Sequence, residues 1–413
     1  MNFEKQKQSN TFPLKPNQKD KTMNFEKLTS ILKNNIRQYA MALTLVLIMI
    51  LFQILTNGVL FSPINITHLI QQNSYVLILA VGMLLIILTG NVDLSVGSTA
   101  AFIGAVGAIF MIKMNISVPI AILLCLIIGA LVGAWQGYWI AYVKIPSFIV
   151  TLAGMLVFRG LTMVILKGQT LAPFEKSFQF IASGFLPESI KIGNLNFIAI
   201  LVGILLSLLF IFLEFSNIKN KKKYNFETLP LGFTITKIII IIIGINLLTY
   251  NLAAYKGIPV VLVLIISLIV IYTFITQKTI AGRHIYAVGG NEKAARLSGI
   301  KTHRVLFWVY VNMGVLAALA GLVVAGRLNA ATPKAGTNFE LDAIASCFIG
   351  GASSTGGIGK IIGAIIGALV MGVLNNGMSI MGVGIDWQQT IKGLVLLAAV
   401  AFDVYTKSKT NGE

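Results

Sequence analysis

Few side chains in this 413-residue chain have chemistry to offer, and they gather in three places. Asp93 lies in TGNVDLSVGS (Thr89–Ser98), between Asn91 and Ser95. GGASSTGGIG (Gly350–Gly359) runs into Lys360. The basic stretch GRHIYAVGGNEKAARLSGIKTHR fills Gly282–Arg304. The second has the composition of a phosphate cradle but fails its pattern. The position five before Gly359 is Ser354, and Ile361 follows Lys360 where a P-loop needs Ser or Thr. No nucleophile elbow and no zinc motif occurs. His68, His284 and His303 lack ligand spacing, and Cys125 and Cys347 each sit in apolar runs. No metal, cofactor or enzymatic chemistry is expected of the chain itself.

Polar groups inside apolar runs are the remaining candidates. Asp93 suits the cap of a helix beginning near Ser95; its functional reading is a hydrogen bond to a substrate hydroxyl or a gate. Glu340 and Asp342 follow Asn338 in a first turn, where the helix dipole favours carboxylates. Arg159 lies inside a span, which is costly unless it is paired. Lys237 and Lys392 fall near span ends, where long side chains snorkel. Gln136, Asn312, Asn375 and Asn376 either bond neighbouring helices or line a polar path. Together with Asn91, Asp93 and Ser95 they are the path candidates. A path for neutral, hydroxyl-rich molecules needs amides, hydroxyls and aromatics, and needs no ladder of charges.

The elements that must hold these residues are membrane helices. Residues are 56% hydrophobic and 11% charged, against about 25% charged in soluble domains. The fold class is all-α, a polytopic membrane protein of about twelve spans. Spans are expected near 38–56, 74–90, 97–115, 118–142, 146–166, 196–215, 231–250, 258–276, 305–326, 339–352, 360–381 and 387–405. The tenth is short and ends in Gly, as a half-helix would. Val96–Phe110 and Gly359–Val373 are both small-residue helices after a break, a weak internal echo of inverted-repeat transporters. Gly104, Gly107, Gly363 and Gly367 favour tight helix packing.

The net charge of +18 excludes little, because the basic residues lie in loops and no nucleic-acid motif accompanies them. They orient the chain instead. Residues 1–37 hold eight Lys/Arg, Lys219–Lys223 four, and Lys278–Arg304 six; Lys407 and Lys409 close the chain. Twelve spans put all four clusters in the cytoplasm. Residues 1–37 read as a disordered basic tail, 38–405 as the membrane domain with a cytoplasmic loop at 277–304, and 406–413 as a short tail. MNFEK recurs at Met1 and Met23, so either is a possible start.

The loop carries its own helix signals. Asn291 can cap, Glu292 suits the positive end, and Gly299 can close in αL. Asn291–Ser298 is therefore expected to be a helix of about two turns. That is marginal alone and persists by docking. Ala294 and Ala295 offer a surface that lets a partner approach. The plain alternative is a solvated connector between spans.

Three stretches resemble the permease subunits of bacterial ATP-driven sugar importers of the ribose, xylose and arabinose class. They are LTGNVDLSVGS (Leu88–Ser98), AVGGNEKAARLSGI (Ala287–Ile300) and FELDAIASCFIGGASSTGGIGKIIGAIIGALVMGVLNNG (Phe339–Gly377). The resemblance implies that the loop is a coupling helix seated in an ATP-binding-cassette ATPase subunit. Asn291, Glu292, Ala294, Ala295, Arg296, Leu297, Ser298 and Gly299 would then form the coupling surface. It further implies a homodimer, a periplasmic sugar-binding protein as partner, and a place among the lipids of the bacterial inner membrane. The pair near 196–250 looks inserted into a ten-helix core, as in xylose-type permeases, which makes D-xylose the leading substrate. Alternatives are a branched-chain amino acid or autoinducer permease, or an ion-coupled transporter, which would need intramembrane carboxylates or His.

Overall fold

A computed structural model describes residues 41–187, 191–192, 195–224 and 231–410. The expected N-terminal tail lies outside the described residues. The chain is helical nearly throughout. Helix α1 (Met41–Leu55) is followed by α2 (Pro63–Leu88), α3 (Val96–Ala108), α4 (Val118–Ala141) and α5 (Ser147–Leu166). The short α6 (Lys176–Ser183) and a two-residue hairpin precede α7 (Phe197–Lys223), α8 (Leu231–Ala253) and α9 (Val260–Lys278). Then come α10 (Ile280–Gly290), α11 (Glu292–Leu297), α12 (Thr302–Leu328), α13 (Phe339–Ile349), α14 (Ile361–Ile380) and α15 (Ile385–Thr410). Among the described residues, nine helices are long and apolar enough to cross a membrane. All twelve expected spans correspond to helices. The tenth, α13, has 11 residues, about 16 Å at 1.5 Å per residue, so it reaches half-way through a core of about 30 Å.

α2 is the spine. Its residues from Val76 to Leu88 are buried on all sides by other helices. It starts at Pro63, eleven residues before the expected span, capped by Ser62. The early turns carry Asn65, Thr67, Gln71 and Asn73, all buried. Their polarity lowers the hydropathy there, yet protein rather than lipid surrounds them. Asn65 and Asn376 exchange amide hydrogen bonds at 2.9 and 3.0 Å, locking α2 to α14.

Small residues set the helix register, because lipid offers no hydrophobic drive between helices and close backbone contact replaces it. Gly129, Gly133 and Gly137 of α4 lie on Gly314, Tyr310 and Phe307 of α12, so the two run antiparallel. Gly104 and Gly107 of α3 face Gly321 and Leu322 of α12, running parallel. Gly363 and Gly367 of α14 press on Gly350 and Ser346. All four glycines singled out in the sequence are packing positions.

Two helix breaks are related by opposite sense. After α2, residues 89–95 turn back and α3 runs the other way. After α12, residues 329–338 turn back and α13 runs parallel to α2, with Asp342 beside Tyr75 and Cys347 beside Ala80. The partner of α3 in this arrangement is α13. The echo with Gly359–Val373 pairs α3 with α14, which also follows a break, and rests on composition alone.

Candidate functional site

α11 is built as its residues dictate. The Asn291 side chain accepts from Ala294 N at 2.9 Å. At the other end Gly299 has φ +85°; its N–H donates to Arg296 O at 3.0 Å and Ile300 N donates to Ala295 O at 3.1 Å. That is the paired closure of a Schellman end. Glu292 accepts from Thr302 Oγ1 at 3.1 Å, tying the first turn to α12. Ala295 is buried against Ala141, Val288 and Leu306 of the same chain, with Ile300 packed beside it. Its face therefore docks the helix on its own bundle, and is not the face shown to a partner. Ala294, Arg296, Ser298 and Gly299 are exposed, and Leu297 is 89% exposed.

α10 was not read from the sequence. Its signals were present: Thr279 caps it, accepting from Gly282 N at 3.2 Å, and Gly282, Ile285 and Val288 form its inner side. It connects α11 to both helix breaks. Gly289 lies directly on Leu88 O at the end of α2, and the Cβ it lacks would stand 2.7 Å from Gly357 N. Gly357 N itself donates to Leu88 O at 2.9 Å. Tyr286 donates to Gly359 O at 2.7 Å. Burial pushes the Tyr286 hydroxyl above the usual tyrosine range, so it remains a donor at neutral pH. The Gly350–Gly359 stretch thus serves as a backbone-to-backbone joint among α2, α10 and α13. A cavity of about 430 Å³ opens beside α11, walled by Asn91, Lys144, Glu292, Lys293, Arg296 and His303.

Asp93, Ser95 and Gln136 come together in one buried network. Ser95 donates its N–H and its hydroxyl to Asp93 Oδ1 at 2.8 and 2.7 Å, and Gln136 donates to Ser95 Oγ at 2.7 Å. Asp93 therefore does not cap α3: its carboxylate closes an Asx turn onto Ser95, the N-cap residue, which makes no side-chain cap bond of its own. Asn312 accepts from the Tyr272 hydroxyl, an α9–α12 contact away from either cavity.

The other polar site lies at the opposite end of the bundle. A cavity of about 490 Å³ is bounded by α2, the 327–339 segment, α14 and α15. Asn375 and Asn376 border it, with Gln72, Tyr75, Arg327 and Lys392. Lys392 does not snorkel outward: its ammonium donates to the buried Asp342 Oδ1 at 2.9 Å, and Tyr75 donates to Oδ2 at 2.9 Å. Lys237 is likewise paired, with Glu214 at 2.8 Å. Arg159 donates to Ala335 O at 2.6 Å and Gly336 O at 3.3 Å, satisfying irregular backbone inside the bundle. Among the described residues, Glu340 Oε2 and Asn375 Oδ1 are buried without a partner, as are Thr99 Oγ1, Thr273 Oγ1 and Asn312 Nδ2 elsewhere in the bundle.

Comparison with known proteins follows the same outline. Residues 65–400 match the family described as branched-chain amino acid transport system / permease component. The chain is 37% identical over 375 residues to the xylose transport system permease protein XylH of Haemophilus influenzae, covering 91% of this chain and 98% of that protein. It is 38% identical to XylH of Escherichia coli, covering 91% and 94%. The ribose import permease protein RbsC of Bacillus subtilis is 35% identical, covering 86% and 89%. No solved structure matches.

Proposed function

The chain belongs to the branched-chain amino acid transport system / permease component family, and from that premise we propose that it is the membrane permease of an ATP-driven importer for a simple sugar. D-xylose is the leading substrate, because the xylose permeases it matches span nearly the whole chain. The chain works in the inner membrane as a homodimer, with a partner ATPase at the α11 end and a sugar-binding protein at the other. It supplies the path; the ATPase supplies the hydrolysis.

The observation that carries the coupling assignment is Leu297. A large aliphatic side chain stands 89% exposed on a helix capped at both ends and anchored by Ala295. A lone exposed Leu is ordinary on a soluble surface. Here it stands on the outer side of a short helix whose inner side is seated on α4, α10 and α12, which is how an anchor for a partner's groove is presented. Leu297→Asp should leave the fold intact, since exposed substitutions cost within about 0.5 kcal/mol. It should abolish copurification of the ATPase and sugar uptake. Parental copurification and uptake would make the loop a mere connector.

A further inference from the structure

The cavity at the end opposite α11 has features that helix packing does not account for. It holds about 490 Å³, within the roughly 300–1,000 Å³ of small-molecule sites. Its walls carry amides from three helices: Gln72 and Asn73 of α2, Asn375 of α14 and Gln388 of α15. An amide both donates and accepts; Asn73 and Gln388 spend their donors on Leu69 O, Gly372 O, Ser379 Oγ and Val383 O, which leaves them as acceptors. Lys392 and Tyr75 meet at Asp342, which sits behind the wall and uses both oxygens on them. An ammonium has three N–H donors, and this ion pair uses one. The carboxylate cancels the lysine charge while leaving donors at the cavity. Tyr75 stacks on Phe339 with ring centroids 3.8 Å apart and planes at 22°, and both rings line the space. Asn375 borders the same wall; its carboxamide oxygen is shielded from the open space and has no partner among the described residues, so the side chain must turn for that oxygen to meet a ligand.

We infer that this cavity is a monosaccharide site within the single protomer, holding the sugar between delivery from outside and passage through the bundle. The inference rests on the sugar-permease reading and adds a place and a set of groups to it. The chemistry is that of a neutral polyol. Paired donor–acceptor amides suit vicinal hydroxyls, an aromatic pair suits the C–H face of a ring, and Lys392, neutralised by Asp342, adds directional donors. Arg327 and Lys334 on the same wall keep their charge, and the phosphate arm of the test below decides whether that charge selects an anion instead. A metal site would need carboxylates free of the lysine. A fatty chain would need apolar walls.

The test uses the full chain with its ATPase in liposomes. Ser379 borders the cavity and is exposed, so Ser379→Cys gives a reporter thiol, whereas native Cys125 and Cys347 are buried. D-xylose should slow modification of Cys at this position by a small thiosulfonate reagent, and inorganic phosphate at equal ionic strength should not. Asn375→Leu, added to the reporter, should raise the xylose concentration for half-protection by about tenfold, the upper range for one lost hydrogen-bond group. Uptake of D-xylose by the same reporter chain, with the sugar-binding protein added, is measured in parallel. If uptake proceeds but no monosaccharide protects the thiol, the cavity is not a sugar site although the permease reading stands. Protection by phosphate and not by xylose makes it an anion site and overturns the inference. If neither the parent nor the reporter chain takes up any sugar, the functional reading falls and the site with it.

Discussion

Gly289 gives the sharpest test of how α11 connects to the membrane helices. The perturbation is one methyl group. In Gly289→Ala the new Cβ would fall on Leu88 O, with Leu88 C and Gly357 N both at 2.7 Å. These are backbone atoms of two other elements and cannot rotate away. Overpacking of this kind costs about 1–3 kcal/mol. Alanine returns only about 0.5–1 kcal/mol over glycine as a helix former. Because the clash is with fixed backbone, the upper end of the overpacking range applies, and the net cost of about 2–2.5 kcal/mol would shift the α10 seating equilibrium by roughly 30- to 60-fold. The control is next door: a Cβ on Gly290 meets nothing within 4 Å, so Gly290→Ala changes propensity without the clash. Both variants are reconstituted with the ATPase and the sugar-binding protein, and sugar uptake and ATP hydrolysis are measured together. Gly289→Ala should still copurify the ATPase, because α11 is untouched, but should lose most uptake per ATP hydrolysed. Gly290→Ala should behave like the parent. Equal uptake by the two would refute the argument that α10 bears on α2 and the Gly350–Gly359 joint.

Tyr286→Phe removes the hydroxyl that donates to Gly359 O; a stability loss of about 1 kcal/mol is expected, with weakened coupling in the same uptake assay. Lys392→Met strands the carboxylate of Asp342, which is only 3% exposed; a loss of about 3–5 kcal/mol should show as a lower melting temperature in detergent. Adding Asp342→Asn should restore most of it, and no recovery would mean the pair is incidental. Asn65→Leu breaks the reciprocal amide bridge to Asn376; by the range for hydrogen bonds between membrane helices it should cost about 0.6–1.7 kcal/mol. Single cysteines at Ser298 and at Met381, both exposed and at opposite ends, should label from the inside and the outside respectively; labelling of position 298 from outside in intact cells would invert the topology.

What the sequence disclosed followed from how local each signal was. Caps are local: Asn291, Gly299 and the α11 boundaries could be read from a dozen residues. Apolar runs are local too, so every span was found. The length of α2 was not, because Asn65, Thr67, Gln71 and Asn73 lower the hydropathy of its early turns although protein surrounds them. The exposed side of α11 was not legible either: Ala294 and Ala295 are adjacent in sequence, and only the position of Ala141, Val288 and Leu306 decides which one is buried. Lys392 misled for the same reason. Its partner Asp342 is fifty residues away, and nothing near Lys392 in the sequence announces it. Among the path candidates, Asn312 sits in a helix contact, while Asn375 and Asn376 reach a cavity whose other walls come from α2 and α15.

The position of α10 bears on how α11, at one end of the bundle, can act within it. α11 is only six residues long and too short to hold itself together without support. Its inner face is a single alanine seated on α4, α10 and α12. A push on Leu297 therefore cannot be absorbed by bending α11 and must be passed to those helices. α12 and α4 are interlocked along their length through Gly129, Gly133 and Gly314, so they move as one piece. α10 is different. It touches the end of α2 and the Gly350–Gly359 joint mainly through glycine backbone and one hydroxyl. Gly356 and Gly357 are both in the left-handed region, with φ +83° and +72°. A contact made largely of close backbone, with few interdigitated side chains beyond Ile285, Leu84 and Leu88, can slide or open with little repacking, which is where discrete rearrangements are expected in a packed protein. From that joint α13 runs back to Asp342, and Asp342 holds Tyr75 and Lys392 at the wall of the opposite cavity. The elements between Leu297 and that cavity are thus contiguous: α11, α10, the glycine joint, α13. Gly289 is the link in that chain where a single methyl group can be added on purpose.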